Sequence, residues 1–315
     1  MTKIAVWASF GGMAAELPKI LVDDDVIAPK DESELTKVAD AECAIGTNIG
    51  KRARKLLEAA PKVRWYHSVG AGVEDLVGVP EFRARGITLT NNSGSYDIPI
   101  AEHAIAFILA GAKRLHLYRD QQTGRSWKEH RQDEIRGATL VVYGLGSIGA
   151  EIARLGSALG MRVIGVRRRV GPAPGVERIV PPELLSQVAA EADYLAVAAP
   201  LTAATRGAVS RDVIDRMKKT AWIVNIARGA IVDEDALVDA LRQGRLGGAG
   251  LDTFTTEPLA ADHPLWTLEN VIISPHSSNS SPHLRERTLA LFRENLRRFK
   301  SGAELLNRVD LEAGY

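Results

Sequence analysis

Residues 139–169 read TLVVYGLGSIGAEIARLGSALGMRVIGVRRR, and the order of elements within them decides the fold. Residues 140–143 are an apolar, β-prone run. Gly144-x-Gly146-x-x-Gly149 then supplies a turn, and Ile148, Ile152, Leu155 and Leu159 recur at helical spacing. Gly160 predicts the helix end, and residues 163–166 predict a second strand running into Arg167, Arg168 and Arg169. Strand, glycine turn, helix and strand form the βαβ unit that sets a dinucleotide pyrophosphate on a helix N-terminus. In that reading Gly144 permits the tight turn, Gly146 lets the pyrophosphate reach the backbone, and Gly149 brings helix and strand together; Ser147 and Ile148 complete the fingerprint. The alternative is a glycine-rich packing turn, against which the flanking strand and helix weigh.

The end of the second strand reads out the cofactor. An Asp or Glu about 20 residues past the glycines accepts the ribose 2′-hydroxyl of NAD, whereas an Arg there accommodates the 2′-phosphate of NADP. Here Arg167, Arg168 and Arg169 occupy that place, and guanidinium groups grip a phosphate through paired charge-assisted hydrogen bonds. NADP(H) is therefore the expected cofactor, with NAD(H) possible and Arg167 and Arg168 as the leading contacts. A solvated basic loop is the competing reading.

Outward from this unit, 315 residues suffice for two ordinary domains, and 45% hydrophobic with 25% charged content is that of a soluble globular protein. A net charge of +1 leaves no basic excess to neutralise nucleic acid or an anionic membrane, while small acidic ligands need only local positive charge. Cys43 is the single cysteine, so no intrachain disulfide can form; a buried structural thiol in a cytoplasmic protein is expected. Met1, Thr2 and Lys3 lead straight into a short strand and a polar-interrupted turn, without a signal-peptide pattern. The longest apolar stretches, 104–112 and 138–150, are too short or too glycine-rich to span a bilayer. No metal site is expected.

The first hundred residues alternate strand patterns (3–7, 42–45, 63–68, 87–90) with helical ones (32–39, 51–59, 81–85), predicting a small parallel α/β domain. Within it Ser68-Val69-Gly70-Ala71-Gly72-Val73 is a glycine turn after a strand, whose amides either bind a carboxylate or merely turn the chain. Asp97 and Pro99 start a long helix, 100 to 118, apolar on more than one face and so buried between domains. A polar segment, 119–136, carries Trp127. Beyond Arg169, strands at 194–198, 222–226, 248–251 and 271–273 alternate with helices at 182–191, 211–217 and 233–242, giving a doubly wound sheet of about six or more strands. An amphipathic helix, 282–299, closes the chain.

Three of these later strands end in polar residues: Asn225-Ile226-Ala227-Arg228-Gly229, then Asp252 with Glu257 five residues on, then Ser274-Pro275-His276. All should point into the crevice at the C-terminal edge of the sheet. Each has a plain explanation alone, as a surface cation, a loop carboxylate and a loop histidine. Together they supply what hydride transfer to a 2-keto acid needs. Arg228 is a cation for the carboxylate and carbonyl oxygen, His276 a proton donor for the forming alkoxide, and Glu257 an anion that favours imidazolium.

With these residues in view, the chain resembles the D-isomer-specific 2-hydroxyacid dehydrogenases. The motifs are GLGSIG (144–149), APLTAATRG (199–207), NIARGAIVDEDAL (225–237), GLDTFTTEP (250–258), PLWTLENVIISPH (264–276) and the terminal NRVDLEAGY; 68–73 and 92–103 extend the match. The arginine triplet with GAGVEDL looks like the glyoxylate/hydroxypyruvate reductase branch. The resemblance implies an α/β fold of two doubly wound domains, a Rossmann cofactor domain (98–282) inserted into a flavodoxin-like substrate domain (1–97 and 283–315), joined by two long crossing helices. It implies Arg228 as substrate clamp, Glu257 as histidine partner and His276 as acid/base. Asp252 and the Ala227 backbone would hold the nicotinamide amide, Pro200 and Thr205 would border the adenosine side, and Val69, Gly70, Ala71 and Gly72 would bind the substrate carboxylate through N–H groups. It further implies a homodimer, and a Trp127 that reaches the partner's active site and limits substrate size. Val73-Glu74-Asp75 and Ser277-Ser278-Asn279 depart from the family pattern, which bears on pocket shape rather than on the reaction.

The expected function is thus reduction of a small 2-keto acid, glyoxylate or hydroxypyruvate, to its 2-hydroxy acid with NADPH. Three alternatives stand beside it. Formate dehydrogenase relatives carry Gln where Glu257 stands and need no proton donor. Phosphoglycerate dehydrogenases often carry an extra domain beyond the position of Tyr315. A nucleotide-sensing corepressor uses the same fold and keeps the same triad.

Overall fold

In the computed structural model, residues 1–7 and 12–315 are described, and they fall into two compact units, Met1–Tyr96 with Ser281–Tyr315, and Asp97–Ser280. In the first unit β1 (Lys3–Trp7), β2 (Asp25–Ile27), β3 (Cys43–Gly46), β4 (Trp65–Ser68) and β5 (Thr88–Thr90) form a parallel sheet in the order β2-β1-β3-β4-β5. This is the flavodoxin-like order. The turn expected after Trp7 lies mostly outside the described residues. Helices α1 (Met13–Ile20), α2 (Gly50–Ala59) and α3 (Pro80–Ala84) and a 3-10 turn, Glu32–Val38, connect the strands.

Alternation along these strands builds two cores. Ile4, Val6, Cys43, Ile45 and Trp65 face one side of the sheet, Ala5, Ala44 and Tyr66 the other. The first side is covered by the chain's last helix, Leu284–Ser301, through Leu289, Phe292 and Leu296; the Phe292 ring stacks on Trp65 at 5.2 Å. Cys43 is buried as expected, and burial pushes its thiol well above the ordinary range, which keeps it unreactive.

The second unit opens with α4 (Asp97–Ala112) and α5 (Leu115–Thr123). The single long helix expected from 100 to 118 is broken. Arg114 adopts the left-handed conformation (φ +55°), with its guanidinium on Asp133 (3.4 Å) and Lys113 Nζ on the Asp133 carbonyl (2.8 Å). The sheet then runs β6 (Thr139–Tyr143), β7 (Arg162–Val166), β8 (Arg178–Val180), β9 (Tyr194–Val197), β10 (Trp222–Asn225), β11 (Gly248–Leu251) and β12 (Val271–Ile273). Among the described residues it has seven parallel strands in the order β12-β11-β10-β9-β6-β7-β8. This is the Rossmann order, and it reverses between β6 and β9. α6 (Ser147–Ala158), α7 (Leu185–Ala189), α8 (Arg211–Arg216) and α9 (Glu234–Arg242) join the strands, and the terminal helix Leu284–Ser301 becomes α10.

The buried face of α6 differs from the one expected. Gly149, Ile152, Ala153 and Gly156 are buried, whereas Leu159 is exposed. α6 lies against both β6 and α4, and a Cβ on Gly156 would sit 2.6 Å from Leu140. Small residues permit that approach where large ones would hold the helix off. No helix of the described residues is long and apolar enough to cross a membrane.

Candidate active site

The glycine turn follows β6, and its three glycines do different work. Gly144 has φ +98°, and a Cβ there would lie 2.4 Å from the Ala199 nitrogen; one on Gly149 would lie 1.8 Å from the Gly144 carbonyl oxygen. Both are demanded by the fold. Gly146 is not: a Cβ there would meet nothing within 4 Å, and the residue is exposed. It caps α6 without a side-chain hydrogen bond, and a helix N-terminus is where a phosphate is favoured. Open space at a helix N-terminus fits a pyrophosphate. Ser147 is exposed and Ile148 half-buried beside it.

At the end of β7 no carboxylate stands. Arg168 and Arg169 are exposed, while Arg167 folds back: its Nε donates to the Arg169 carbonyl (2.7 Å), and its Nη2 to those of Gly171 (2.9 Å) and Pro172 (3.4 Å). Arg167, one of the two guanidinium groups expected to lead on a 2′-phosphate, thus also braces its own loop. After β9, Thr205 Oγ1 donates to the Pro200 carbonyl (2.6 Å) and takes the Thr202 amide (2.8 Å), closing residues 200–205 into a compact turn.

Arg228, Glu257 and His276 follow β10, β11 and β12, three neighbouring strands. Asn225, almost fully buried, shapes the first turn. Its Oδ1 takes the Ala227 amide (3.1 Å) and its Nδ2 donates to the Arg228 carbonyl (3.0 Å). Arg228 is half-buried, with Nη1 on the Ala227 carbonyl (2.7 Å). Both polar groups of the Ala227 backbone thus have partners within the turn. A Cβ on Gly229 would lie 1.9 Å from the Phe254 carbonyl carbon, so only glycine lets the Arg228 turn press against the loop after β11.

That loop carries Glu257. Its Oε1 takes the Phe254 amide (2.9 Å), and the Thr255 amide goes to Glu234 Oε2 (3.0 Å). Glu257 Oε2 lies 2.7 Å from His276 Nδ1, and both side chains remain more than a third exposed. The contact engages Nδ1 with the carboxylate, and Nε2 is the ring's other nitrogen. His276 itself has φ +51°.

Asp252, expected on the nicotinamide amide, is fully buried. Its Oδ1 takes the Ser274 hydroxyl and the Ser277 amide (2.9 Å), its Oδ2 the Ser278 amide (3.1 Å). Oδ2 keeps room for one more donor. The sequence offered no sign of the hydrogen bonds that Ser274, and His103 behind it (2.9 Å), make here, although both lie in the motifs quoted above.

In the first unit, Val69, Gly70, Ala71 and Gly72 form the turn after β4. The Val69 amide is already spent on the Gly46 carbonyl (3.0 Å), and the Gly70 amide on Ser68 Oγ (3.2 Å). Two of the four amides expected on a carboxylate thus have protein partners here. The carbonyls of the turn are held by Asn91 (2.8 Å to Ala71), Asn92 (3.1 Å to Val69) and Tyr96 (2.6 Å to Val69). A cleft of about 460 Å³ in this unit, lined by Ile49, Lys51, Arg54 and Asp75, includes none of these residues.

The family model described as "D-isomer specific 2-hydroxyacid dehydrogenase, NAD binding domain" matches residues 105–278. The chain is 33% identical to a glyoxylate reductase of Korarchaeum cryptofilum over 91% of its length and 88% of the relative's. It is 32% identical to a D-3-phosphoglycerate dehydrogenase of Methanocaldococcus jannaschii over 89% of its length and 54% of that protein's. Among solved structures it is similar to an NADPH-dependent glyoxylate/hydroxypyruvate reductase of Sinorhizobium meliloti in complex with NADP and sulfate, at 25% identity, full coverage of both chains and a TM-score of 0.88.

Proposed function

Because the chain belongs to the D-isomer-specific 2-hydroxyacid dehydrogenase family of NAD(P)-dependent oxidoreductases, we propose that it reduces a small 2-keto acid of the glyoxylate or hydroxypyruvate type, with NADPH as preferred reductant. The observation that carries this reading is the contact of His276 Nδ1 with Glu257 Oε2, 2.7 Å, one strand from the Arg228 turn.

Bound NADPH supplies a hydride to C2 of the keto acid. Arg228 pairs with the substrate carboxylate and draws electron density toward the keto oxygen. His276 gives its Nε2 proton to that oxygen as it becomes an alkoxide, and Glu257, holding Nδ1–H, keeps the ring oriented and stabilises the imidazolium beforehand. The neutral imidazole is then reprotonated from solvent, which its exposed position allows. Run backwards, the same residue is the base for a 2-hydroxy acid.

Residues Gly144, Gly146, Ser147, Ile148 and Gly149 would hold the pyrophosphate, and Pro200 and Thr205 the adenosine side. Ala227 and Asp252 would hold the nicotinamide amide, the latter through Oδ2. The 2′-phosphate would meet Arg167, Arg168 and Arg169, the first of which also braces its loop. The first unit is the substrate-binding domain in this reading, its Ala71 and Gly72 amides serving a carboxylate. The protein would act as a homodimer in the cytoplasm.

Initial rates with glyoxylate, hydroxypyruvate and larger keto acids, each with NADPH and NADH, test the proposal. Glyoxylate or hydroxypyruvate with NADPH should give the highest kcat/KM, and His276→Ala should lower kcat severely while leaving NADPH binding intact. Equal or better rates with NADH would sink the cofactor assignment, and near-normal turnover by His276→Ala the acid/base assignment. The likeness to a phosphoglycerate dehydrogenase favours one second reading, which phosphohydroxypyruvate in the same panel decides.

A further inference from the structure

An exposed loop histidine can work as an acid only if something aims it. Three consecutive amides do so here by converging on one buried residue. The His276 amide donates to the Asp252 main-chain carbonyl (2.9 Å), Ser277 to Oδ1 and Ser278 to Oδ2. Successive amides wrapped around an anion form a concave nest, and a left-handed residue is how the chain bends into one. His276, at φ +51°, is that residue. The backbone that points its ring at Glu257 is therefore held by Asp252.

Asp252 is in turn held from behind. An ionised carboxylate only accepts, so the single hydroxyl hydrogen of Ser274 goes to Oδ1. Ser274 Oγ must then accept from His103 Nε2 (2.9 Å), which fixes the proton of His103 on that nitrogen. The His103 ring stands edge-on to Phe107, 4.6 Å between centroids. Phe107 lies where a Cβ on Gly250 would come within 2.6 Å of it, so α4 is fitted closely to β11 two residues before Asp252.

We propose that His103 and Ser274 are positioning residues for the reaction. The run His103 Nε2–H to Ser274 Oγ–H to Asp252 orients the carboxylate on which the 276–278 amides close, and so sets His276 Nδ1 on Glu257. This rests on His276 being the acid/base.

The test uses the full-length protein and measures kcat, glyoxylate KM, NADPH Kd and Tm. Ser274→Ala and His103→Leu should each lower kcat roughly tenfold, the scale of one lost charge-assisted hydrogen bond. Ser274→Thr, which keeps the hydroxyl, and His103→Gln, which keeps an N–H donor, should recover most of the loss. In a His276→Ala background, Ser274→Ala should reduce the residual rate no further, because its effect runs through the histidine. A normal kcat in Ser274→Ala while His276→Ala is inactive overturns the proposal alone. So does a full additional loss in the His276→Ala background, or a loss that Ser274→Thr does not recover. Near-normal turnover by His276→Ala overturns the acid/base reading, and the proposal with it.

Discussion

Replacing Gly146 by alanine should separate what the glycine turn does for the fold from what it does for the cofactor. Gly146 sits at φ −79°, ψ −161°, open to any residue, and its added Cβ meets nothing within 4 Å. Stability without cofactor should therefore hold or rise, by at most about 1 kcal/mol from the stiffer unfolded chain. The same methyl would stand in the open space before the first amides of α6, where the pyrophosphate is expected. Displacing a pyrophosphate from one or two of them costs about 1.5–3 kcal/mol per charge-assisted bond, a rise in NADPH Kd of at least roughly tenfold. Gly149→Ala is the contrast. Its Cβ would lie 1.8 Å from the Gly144 oxygen, so backbone must part by about 1 Å. Overpacking of that kind costs about 1–3 kcal/mol, a fall in Tm of roughly 2–12 °C. Thermal melts without cofactor and fluorescence titration with NADPH read both quantities. An unchanged NADPH Kd in Gly146→Ala, or a Tm as low as that of Gly149→Ala, refutes the reasoning.

Other perturbations bear on separate parts of the molecule. Arg168→Asp should lower the NADPH-over-NADH ratio of kcat/KM by roughly a hundredfold, since a carboxylate repels the 2′-phosphate that the guanidinium would grip; Arg167→Ala, which removes a positive charge without adding a repelling one, should lower that ratio less. Steady-state rates with both cofactors compare the two. Burial lowers the pKa of His67 to about 3 from an ordinary value of 6.5. The unfolded chain then takes up a proton below pH 6.5 that the folded one refuses, and stability falls toward pH 3 by up to about 1.4 kcal/mol per pH unit from this site. Urea titrations across that window should show a shallower acid limb in His67→Gln, and an identical slope would contradict the assignment. Trp127 is 99% exposed, so Trp127→Ala should leave Tm unchanged. If its ring limits substrate size in a partner's site, the variant should also gain rate on bulky keto acids, and an unaltered substrate range removes that role.

The elements that the sequence made legible are those in which side-chain pattern and burial coincide. β6, β7, β9, β10, β11 and β12 are short apolar runs bounded by glycine or polar turns, and each was placed to within a residue or so. β2 and β8 escape notice because three residues at a sheet edge, none of them buried, carry neither alternation nor an apolar run. α1 escaped because Pro18 interrupts its pattern. The α6 face was misplaced for a different reason. Periodicity gives weight to large side chains, whereas a helix pressed between β6 and α4 turns Gly149, Ala153 and Gly156 inward. At the Arg114 break the contacts to Arg114 and Lys113 come from Asp133, nineteen residues beyond Arg114 and outside any local window.

The same division runs through the site. Arg228, Glu257 and His276 could be found by reading one strand end at a time, because each lies within six residues of the end of an apolar run. What aims them could not. Ser274, Asp252 and His103 meet only because β12 lies beside β11 and α4 packs against β11, and no stretch of sequence contains that adjacency. Asp252 shows the consequence. As a residue after a strand it announces a carboxylate in the crevice; as a side chain with no exposure, taking a hydroxyl and two amides, it is first the anchor of the loop that carries His276. The two descriptions are compatible through Oδ2, whose remaining lone pair could serve the nicotinamide amide while Oδ1 stays committed. A cofactor bound there would therefore press on the same carboxylate that holds the acid/base loop, which couples nicotinamide placement to the aim of His276 within one side chain.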